Sequence, residues 1–199
     1  TTNATGIMPN NDYDRYNFSF RNTTNFLNNK FILDTSANYI IQNDKNMVSQ
    51  GQYFNPLTSL YLFPRGEDFS DVAVYERYDD LSGVNTQYWP YGDLGGVSSQ
   101  NPYWIMNRMN RENDRRRYKL AASLQYNIIE GLNVQGRVSI DNTESKYTEK
   151  FHAGTVGNFA GPKGRYKEEN RLDRQVYADV LANFNKTFNE FNVTANLGA

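Results

Sequence analysis

Hydrophobic and polar side chains alternate with a period of two along six segments of the chain. The clearest segment is 117–128, where every second residue is apolar and most of the others are polar. The apolar set is Tyr118, Leu120, Ala122, Leu124, Tyr126 and Ile128. Because successive side chains of a β-strand point to opposite faces, this pattern predicts a strand with one apolar and one wet face. The six strands predicted in this way lie at about 15–26, 31–43, 117–128, 132–141, 175–185 and 191–199.

The connections between these strands alternate between short turns and long loops. Short turns join the first and second, third and fourth, and fifth and sixth strands, whereas large loops at about 44–114 and 142–174 join the others. In up-and-down order, all the short turns lie on one side and both long loops on the other. Soluble domains seldom hold two such loops, but outer-membrane barrels do so as a rule. The sequence therefore predicts an all-β fold, namely a segment of an antiparallel up-and-down transmembrane β-barrel with long extracellular loops.

The spacing of aromatic residues agrees with a membrane-spanning height. Tyr118 and Tyr126 lie on one face, and the strand between them covers roughly 20 Å along the membrane normal at a tilt near 40°. The apolar band of such barrels is ~25 Å tall and is bounded by aromatic girdles. The predicted periplasmic girdle is Phe26, Phe31, Tyr126, Phe184 and Phe191, and the predicted outer girdle is Tyr16, Tyr39 and Tyr118. A soluble β-sandwich explains the alternation equally well, but it does not explain the order of loop lengths.

Composition supports a two-faced sheet and excludes several classes. Hydrophobic residues make up only 38% of the 199 residues and mean hydropathy is −0.77, yet aromatic residues reach 15%, which argues against disorder. No run approaches the ~18 apolar residues of a transmembrane helix. Because 21 basic residues balance 22 acidic ones, no general attraction to nucleic acid is expected. The chain has no cysteine, which excludes disulfides and thiolate metal sites within it.

Three blocks of residues resemble a known family. The run 55–66 (NPLTSLYLFPRG), the run 101–105 (NPYWI) with the strand after Arg117, and the opening 2–12 resemble SusC/RagA-type TonB-linked outer-membrane proteins of the Bacteroidota. The blocks occur in order with the expected gaps, and the likeness covers essentially the whole chain. This resemblance implies a 22-stranded barrel with an internal plug in the outer membrane. It also implies pairing with a SusD-like surface lipoprotein, energy from the TonB complex, and import of oligosaccharides or peptides.

Several features of that family are not found in the sequence. We find no plug domain, TonB box, signal sequence or barrel-closing C-terminal strand. The chain is therefore expected to be a partial receptor barrel of about six strands, with 15–26 and 191–199 as open edges. In that case the contact with the TonB complex would lie in a missing N-terminal region.

The loop at 44–114 holds the candidate binding residues. It is rich in aromatic side chains, whose faces stack on sugar rings. The candidate ligand or partner contacts are Trp89, Tyr91, Tyr103 and Trp104. The alternative is that a loop of this length needs its own small core to stay ordered. The residues expected to form that core are Phe54, Leu57, Leu60, Leu62 and Phe63.

The other motifs do not match a known metal-binding or phosphate-binding pattern. His152 has no second histidine, cysteine or carboxylate pair at ligand spacing, and Gly92–Gly96 lacks the strand–turn–helix setting of a phosphate loop. Glu67, Asp68 and Asp71 lack a calcium-loop pattern, so solvated charge is favoured over a calcium site. No catalytic, cofactor or metal site is predicted, and no enzymatic activity.

The arginine-rich segment 111–117 lies next to a predicted strand, and it has two interpretations. It either contacts lipopolysaccharide phosphates or an acidic substrate, or it is a mixed-charge collar at the membrane edge, which we favour.

The expected function is a share in the barrel wall and loops of a TonB-dependent importer. Two alternatives remain open at this stage. One is a secreted β-sandwich that binds glycan through its loop aromatics, and the other is a passive porin or surface adhesin.

Overall fold

The computed structural model of the chain describes residues 1–48, 51, 53–91 and 99–199. Most of these residues lie in antiparallel β-sheet, which confirms the all-β class. The strands are β1 (Thr2–Thr5), β2 (Asp12–Phe26), β3 (Phe31–Lys45), β4 (Glu76–Asp79), β5 (Val84–Gln87), β6 (Met109–Ile129), β7 (Leu132–Phe151), β8 (Arg165–Phe188) and β9 (Phe191–Gly198). The helices are α1 (Pro56–Leu62), a 3-10 helix (Phe69–Ala73) and α2 (Pro102–Arg108). None of the helices in the described ranges is long and apolar enough to cross a membrane.

Seven strands form one open sheet in the order β1-β2-β3-β6-β7-β8-β9, and β4 pairs with β5 in a separate hairpin. β9 is an edge, as predicted. The segment 15–26 is not the other edge over its whole length, because β1, expected in a loop, pairs with the start of β2 from Thr2↔Arg15 to Thr5↔Asp12. Within the described residues the two edge strands, β1 and β9, do not pair with each other.

Three strands are much longer than the hydrophobic pattern predicts. β6 begins at Met109 rather than at 117, β7 continues to Phe151 rather than 141, and β8 begins at Arg165 rather than 175. The loop expected at 142–174 is therefore reduced to residues 152–164. The physical reason is that most residues of the added segments are polar, so the alternation of hydrophobicity stops although backbone pairing continues. Cross-strand ion pairs such as Lys146–Glu168 (3.1 Å) replace apolar contacts there.

The short turns contain residues with left-handed backbone conformation. Gly131 (φ 83°) closes the β6–β7 hairpin, and Asn189 (φ 52°) lies in the β8–β9 turn. The β8 strand continues to Phe188, so that turn is only Asn189 and Glu190 rather than the longer connection predicted from 186. Asparagine and glycine tolerate this conformation better than other residues, which is why they occur in such turns.

The chain divides into two compact units. Unit 1 comprises Thr1–Arg15, Gln42–Asp114 and Ser145–Asn170. It holds the buried cluster of the protein, which consists of Trp104, Ile105, Met109, Phe151 and Ala160 with Phe54, Tyr75 and Phe159 packed against it. The loop thus has a small core, as the alternative interpretation of its aromatics predicts, but with different members. Phe54 joins it, whereas Leu57 and Leu62 are exposed.

Unit 2 comprises Tyr16–Ile41, Arg115–Glu144 and Arg171–Ala199. It is almost entirely strand, and many of its large apolar side chains are exposed. Leu120, Leu124 and Val180 are 48%, 44% and 53% exposed, respectively. A soluble sandwich would bury such residues against a second sheet. The other sheet in the described part of the chain is the β4–β5 hairpin, whose strands have four residues each.

Candidate functional site

Trp104, one of the four proposed ligand contacts, is buried. Its side chain is 1% exposed within the unit 1 cluster, and its Nε1 donates a hydrogen bond to Thr155 Oγ1 at 3.1 Å. Thr155 in turn donates to the carbonyl of His152 at 2.8 Å. A large aromatic side chain with its only polar atom satisfied inside the core serves packing. The small part of Trp104 that is exposed lines a cleft beside Arg108.

Trp104 lies on the short helix α2, which begins at Asn101 and Pro102 and whose inner side packs into the cluster. The Asn101 side chain accepts a hydrogen bond from Tyr103 N at 2.8 Å, and Pro102 occupies the first turn of α2. Asparagine as N-cap followed by proline is a favourable helix start. Asn101 Nδ2 also donates to the carbonyl of Val72 at 2.9 Å, which anchors the helix start to the 3-10 helix. Tyr103, half-buried beside this cap, stacks on Tyr75 with ring centroids 6.4 Å apart.

Trp89 and Tyr91 belong to a row of half-exposed rings in unit 1. We call this row the aromatic ladder; its members are Phe63, Phe69, Trp89 and Tyr91. Trp89 meets Tyr91 edge-on at 5.2 Å, and Tyr91 meets Phe63 at 5.1 Å. Trp89 Nε1 donates to Ser99 Oγ at 2.8 Å, which holds the indole in place. The ladder leaves part of each ring accessible, so Trp89 and Tyr91, like Tyr103, retain a partly exposed position.

Negative charge lies close to the aromatic ladder. The pKa of Tyr91 is raised by burial and then by the carboxylates of Glu67 and Asp71. The third acidic residue of this group, Asp68, accepts a hydrogen bond from Ser70 N at 2.9 Å as the N-cap of the 3-10 helix. This bond lowers the pKa of Asp68 and occupies one of its oxygens. Across the described ranges, no group of three or more His, Cys, Asp or Glu side chains is placed to hold a metal ion.

A second feature of unit 1 is a cleft of about 490 Å³ next to Arg108. Arg108 and Glu76 form a bidentate pair with distances of 2.8 and 2.9 Å, and these hydrogen bonds raise the pKa of the guanidinium. His152 and Tyr78 also line the cleft. Burial and the charge of Arg108 lower the pKa of His152. The sequence did not indicate this grouping, because Glu76 and Arg108 are distant from His152 along the chain.

The arginine-rich segment 111–117 lies inside β6 rather than outside a strand, because β6 begins at Met109. Its arginines have different surroundings. Arg111 is half-buried against the ring of Phe54 in unit 1, and burial lowers its pKa. Arg117, in unit 2, forms a bidentate pair with Asp141. Arg115 and Arg116 are exposed.

Unit 2 presents a polar face that is crossed by ion pairs. Arg21 on β2 binds Asp34 on β3 at 3.0 Å, and Arg117 on β6 binds Asp141 on β7 at 2.5 Å. Arg137 on β7 binds Asp179 on β8, with Nε donating to Oδ1 at 2.9 Å. We define the polar face by the charged residues Arg21, Asp34, Arg117, Lys119, Arg137, Asp141 and Asp179. The sequence predicts the sidedness of these residues, but it carries no signal for pairs such as Arg137–Asp179, which a long connection separates.

The opposite face of unit 2 is apolar. Its exposed members include Phe18, Phe20, Leu120, Leu124, Val138 and Val180, and we call this set the apolar face. Phe26 stacks on Phe31 at 5.3 Å, and Phe31 stacks on Tyr126 at 4.6 Å. Three of the five residues predicted to share one aromatic girdle are therefore neighbours across β2, β3 and β6. The β8–β9 register continues the apolar face by pairing Ala182 with Leu197 and Phe184 with Ala195.

The glycine-rich segment Gly92–Gly96 lies outside the described residues. Models of known protein families and curated protein sequences give no match to the chain.

Proposed function

We propose that unit 2 is part of the wall of an outer-membrane β-barrel, and that this barrel belongs to a TonB-dependent importer of oligosaccharides or peptides. In this proposal the apolar face contacts lipid and the polar face lines the lumen. The long connections of unit 1 lie outside the membrane, where a SusD-like lipoprotein would dock. The protein makes and breaks no bond in its substrate.

The observation that carries the proposal is that one face of an uncovered sheet is mostly apolar and the other holds the ion pairs. Leu120, Leu124 and Val180 remain exposed on one face, while the arginine–aspartate pairs lie on the other. Burying apolar surface contributes about 25 cal/mol per Å², so a large exposed apolar face in water is unfavourable and marks an interaction surface. A bilayer covers such a face without requiring a second sheet.

Strand length is consistent with this assignment. Unit 2 contains residues 16–26 of β2 and 31–41 of β3, about eleven residues each. A tilted transmembrane strand needs ~9–11 residues to cross the hydrocarbon core. The Phe26–Phe31–Tyr126 stack ends the apolar stretches of three strands at the side of the short turns. Such barrels carry aromatic residues at this position, where the hydrocarbon meets the headgroups.

Active import rests on a different observation from membrane insertion. It is supported by the three blocks that resemble SusC/RagA-type proteins, and by a polar face suited to line a path for hydrophilic solutes. A passive porin would share the two faces of the sheet. The two functions differ in their need for energy from the inner membrane.

Cysteine labelling tests the orientation of the sheet, because the chain has no native cysteine. Leu124→Cys and Gln125→Cys are adjacent substitutions on opposite faces of β6. In outer membranes that contain the full-length protein, a bimane probe at position 124 should be quenched by brominated lipid. A probe at position 125 should instead be quenched by aqueous iodide. Equal responses at both positions would refute the lipid and lumen assignments.

Energy dependence separates an importer from a porin. Growth on the cognate oligosaccharide or peptide, at concentrations too low for diffusion, should stop when the cell's TonB protein is deleted. Growth should persist in an otherwise identical strain that retains TonB. Uptake that is unaffected by this deletion would favour the porin, and it would leave the orientation result unchanged.

A further inference from the structure

The charges on the polar face of unit 2 do not balance. Its three aspartates each bind one arginine, namely Asp34 with Arg21, Asp141 with Arg117, and Asp179 with Arg137. Lys119 is the fourth cation of this face. Among the described residues, it takes part in none of the ion pairs that lie within 4.0 Å. Of the seven charged residues that define the polar face, four are cations and three are carboxylates, and Lys119 is the cation with no carboxylate of the described residues within 4.0 Å.

Lys119 lines two adjoining clefts. The larger, of about 270 Å³, also contains Arg137 and the hydroxyl-bearing residues Ser123 and Ser139. The smaller, of about 210 Å³, contains Arg117 with the polar side chains of Asn17 and Ser19. We call the larger one the Lys119 cleft.

The Lys119 cleft is lined by more hydrogen-bond donors than by acceptors that lack a partner. A lysine ammonium has three N–H donors, and serine hydroxyls can donate as well as accept. Arginine has five N–H donors. Arg137 uses donors on Nε and Nη2 to bind Asp179, and its other N–H groups remain. Tyr177 Oη, at the wall of the cleft, donates to Asp179 at 2.5 Å.

Asp34 is the carboxylate that lines this cleft, and Asp179 lies behind it, bound to Arg137 and Tyr177. Asp34 accepts hydrogen bonds from Arg21 at 3.0 and 3.2 Å and from Thr23 Oγ1 at 2.8 Å. Its charge is therefore already compensated on the β2 side. A monoanion between Lys119 and the serine hydroxyls would gain charge-assisted hydrogen bonds, which are stronger than neutral ones.

We infer that the Lys119 cleft is a binding site for a carboxylate or phosphate group carried by a solute. This inference rests on the proposed function, in which the polar face lines the lumen, and it names the substrate class as anionic. Lys119 supplies the charge, and the hydroxyls of Ser123 and Ser139, which line the same cleft, supply hydrogen-bond donors. Lys119 interacts with Asp141 only at a distance beyond 4.0 Å, so an anionic solute could pair with it directly whereas a neutral solute could not.

The test uses the full-length protein in detergent micelles. Its lysines carry ¹³C-labelled methyl groups, added by reductive methylation and observed by NMR. Methylation keeps the positive charge, and the Lys119 signal is assigned by its absence in Lys119→Arg. Inorganic phosphate is titrated at constant ionic strength, with glycerol as the uncharged probe. Phosphate should shift the Lys119 signal saturably, with an affinity at least about ten-fold tighter than at Lys186, which lies beside Phe188 on the other face.

Serine variants provide the matched comparison. Ser123→Ala and Ser139→Ala should each weaken phosphate binding by roughly ten-fold, the size expected for a hydrogen bond to a charged group. Ser36→Ala, on β3 outside both clefts, should leave the affinity unchanged. The proposal is overturned if Lys119 and Lys186 respond equally, because that result describes a general counterion effect. It is also overturned if glycerol shifts the Lys119 signal as much as phosphate does. A Lys119 signal that does not respond to phosphate, as expected if Lys119 pairs with Asp34, overturns it as well.

The labelling experiment at Leu124 and Gln125 keeps the two proposals separable. A sheet with a water-facing polar face but no phosphate response at Lys119 refutes only the anion site. Failure of the labelling pattern refutes the lumen assignment, whatever Lys119 binds.

Discussion

Glu168 on β8 is held in its charged form by three neighbouring side chains. Hydrogen bonds from Tyr166, Lys146 and Asn170 lower its pKa from 4.5 to about 2. A carboxyl with a lowered pKa in the folded state contributes stability above the unfolded value of 4.5 and loses this contribution as pH falls toward 2. Carboxyl ¹³C shifts should therefore give a titration midpoint for Glu168 well below 4.5. Tyr166→Phe should raise that midpoint, and an unchanged midpoint in this variant would contradict the assignment.

Tyr147 on β7 shows the opposite kind of shift. Burial and its hydrogen bond to Glu149 (2.9 Å) raise its pKa to about 12. Because the folded state retains this proton more strongly than the unfolded state, the contribution to stability is complete below pH 10. It decreases between pH 10 and 12. The difference in ultraviolet tyrosinate absorbance between the wild type and Tyr147→Phe should therefore appear only near pH 12. A difference that appears at pH 10 would contradict the proposed burial.

Trp104 and Trp89 are expected to respond differently to truncation. Trp104→Ala removes a fully buried side chain and its bond to Thr155, and it should lower the free energy of unfolding by about 3–5 kcal/mol. Trp89→Ala removes a half-buried ring and should cost less. Protease resistance of unit 1 in the assembled protein measures the difference. Equal losses would mean that the aromatic ladder is as much a part of the core as Trp104.

Composition alone does not distinguish a buried tryptophan from an accessible one. The sequence identifies an aromatic-rich loop, but the burial of Trp104 follows from α2 and from Phe151, which lies far along the chain. One local signal was present, since Asn101-Pro102 is a favourable helix start and a helix there would turn one side inward. The same signal occurs at Asn55-Pro56, where α1 begins. The partners of Trp104 depend on tertiary structure and could not be predicted.

At the scale of elements, Gly131 fixes the contact between the β6–β7 hairpin and β8. Its φ is 83°, and a Cβ at this position would collide with the backbone oxygen of Asn185. Asn185 N also donates to the Gly131 carbonyl at 2.7 Å. Gly131→Ala should therefore destabilise the sheet by about 1–3 kcal/mol through strain and displacement.

Gly136→Ala on β7 is the matched control, because nothing lies within 4 Å of its added Cβ. If the sheet is part of a barrel as proposed, heat-modifiable migration of the full-length protein in gels would report the loss of the folded form. A Gly131→Ala variant as stable as Gly136→Ala would show that the turn relaxes without cost.

Strand faces were predictable, whereas strand ends were not. Alternation assigns Leu120, Leu124 and Val138 to one face, because the period of two follows directly from strand geometry. Beyond about residue 142 on β7, the sequence becomes charged on both faces. There the strand depends on ion pairs such as Arg165–Glu149 (3.1 Å) with β8. Pairings of this kind join residues that are distant in sequence, so no local pattern reveals them.

At the scale of the whole molecule, the lipid assignment predicts an asymmetric response to charge. Leu124→Arg should destabilise the inserted protein by about 2–4 kcal/mol if residue 124 lies near the bilayer midplane. Gln125→Arg, one residue along the same strand, should be tolerated because it faces the wet side. Refolding into lipid vesicles over a urea series would compare the two variants. Similar losses for both would argue against a lipid-facing apolar face.

The aromatic ladder offers a test of partner or ligand contact in the intact cell. If the protein imports a nutrient as proposed, Tyr91→Ala with Trp89→Ala should weaken growth on that nutrient, because both rings are partly exposed and Tyr91 lies near Glu67 and Asp71. Tyr75→Ala, which affects a ring packed against the core, serves as the comparison for simple loss of stability. Normal growth of the double variant, with the protein present in the outer membrane, would assign the ladder to loop packing.

The arginine–aspartate pairs also affect how neighbouring strands align during assembly. Sliding one strand by a single residue would turn Arg137 away from Asp179 and place a guanidinium among apolar side chains. A slide of two residues would restore the faces but separate the charges. Each pair therefore disfavours both of the nearest incorrect alignments of its two strands. In a sheet rich in asparagine and serine, where the hydrophobic pattern alone distinguishes alignments weakly, these pairs would make one arrangement of the wall more stable than its shifted alternatives.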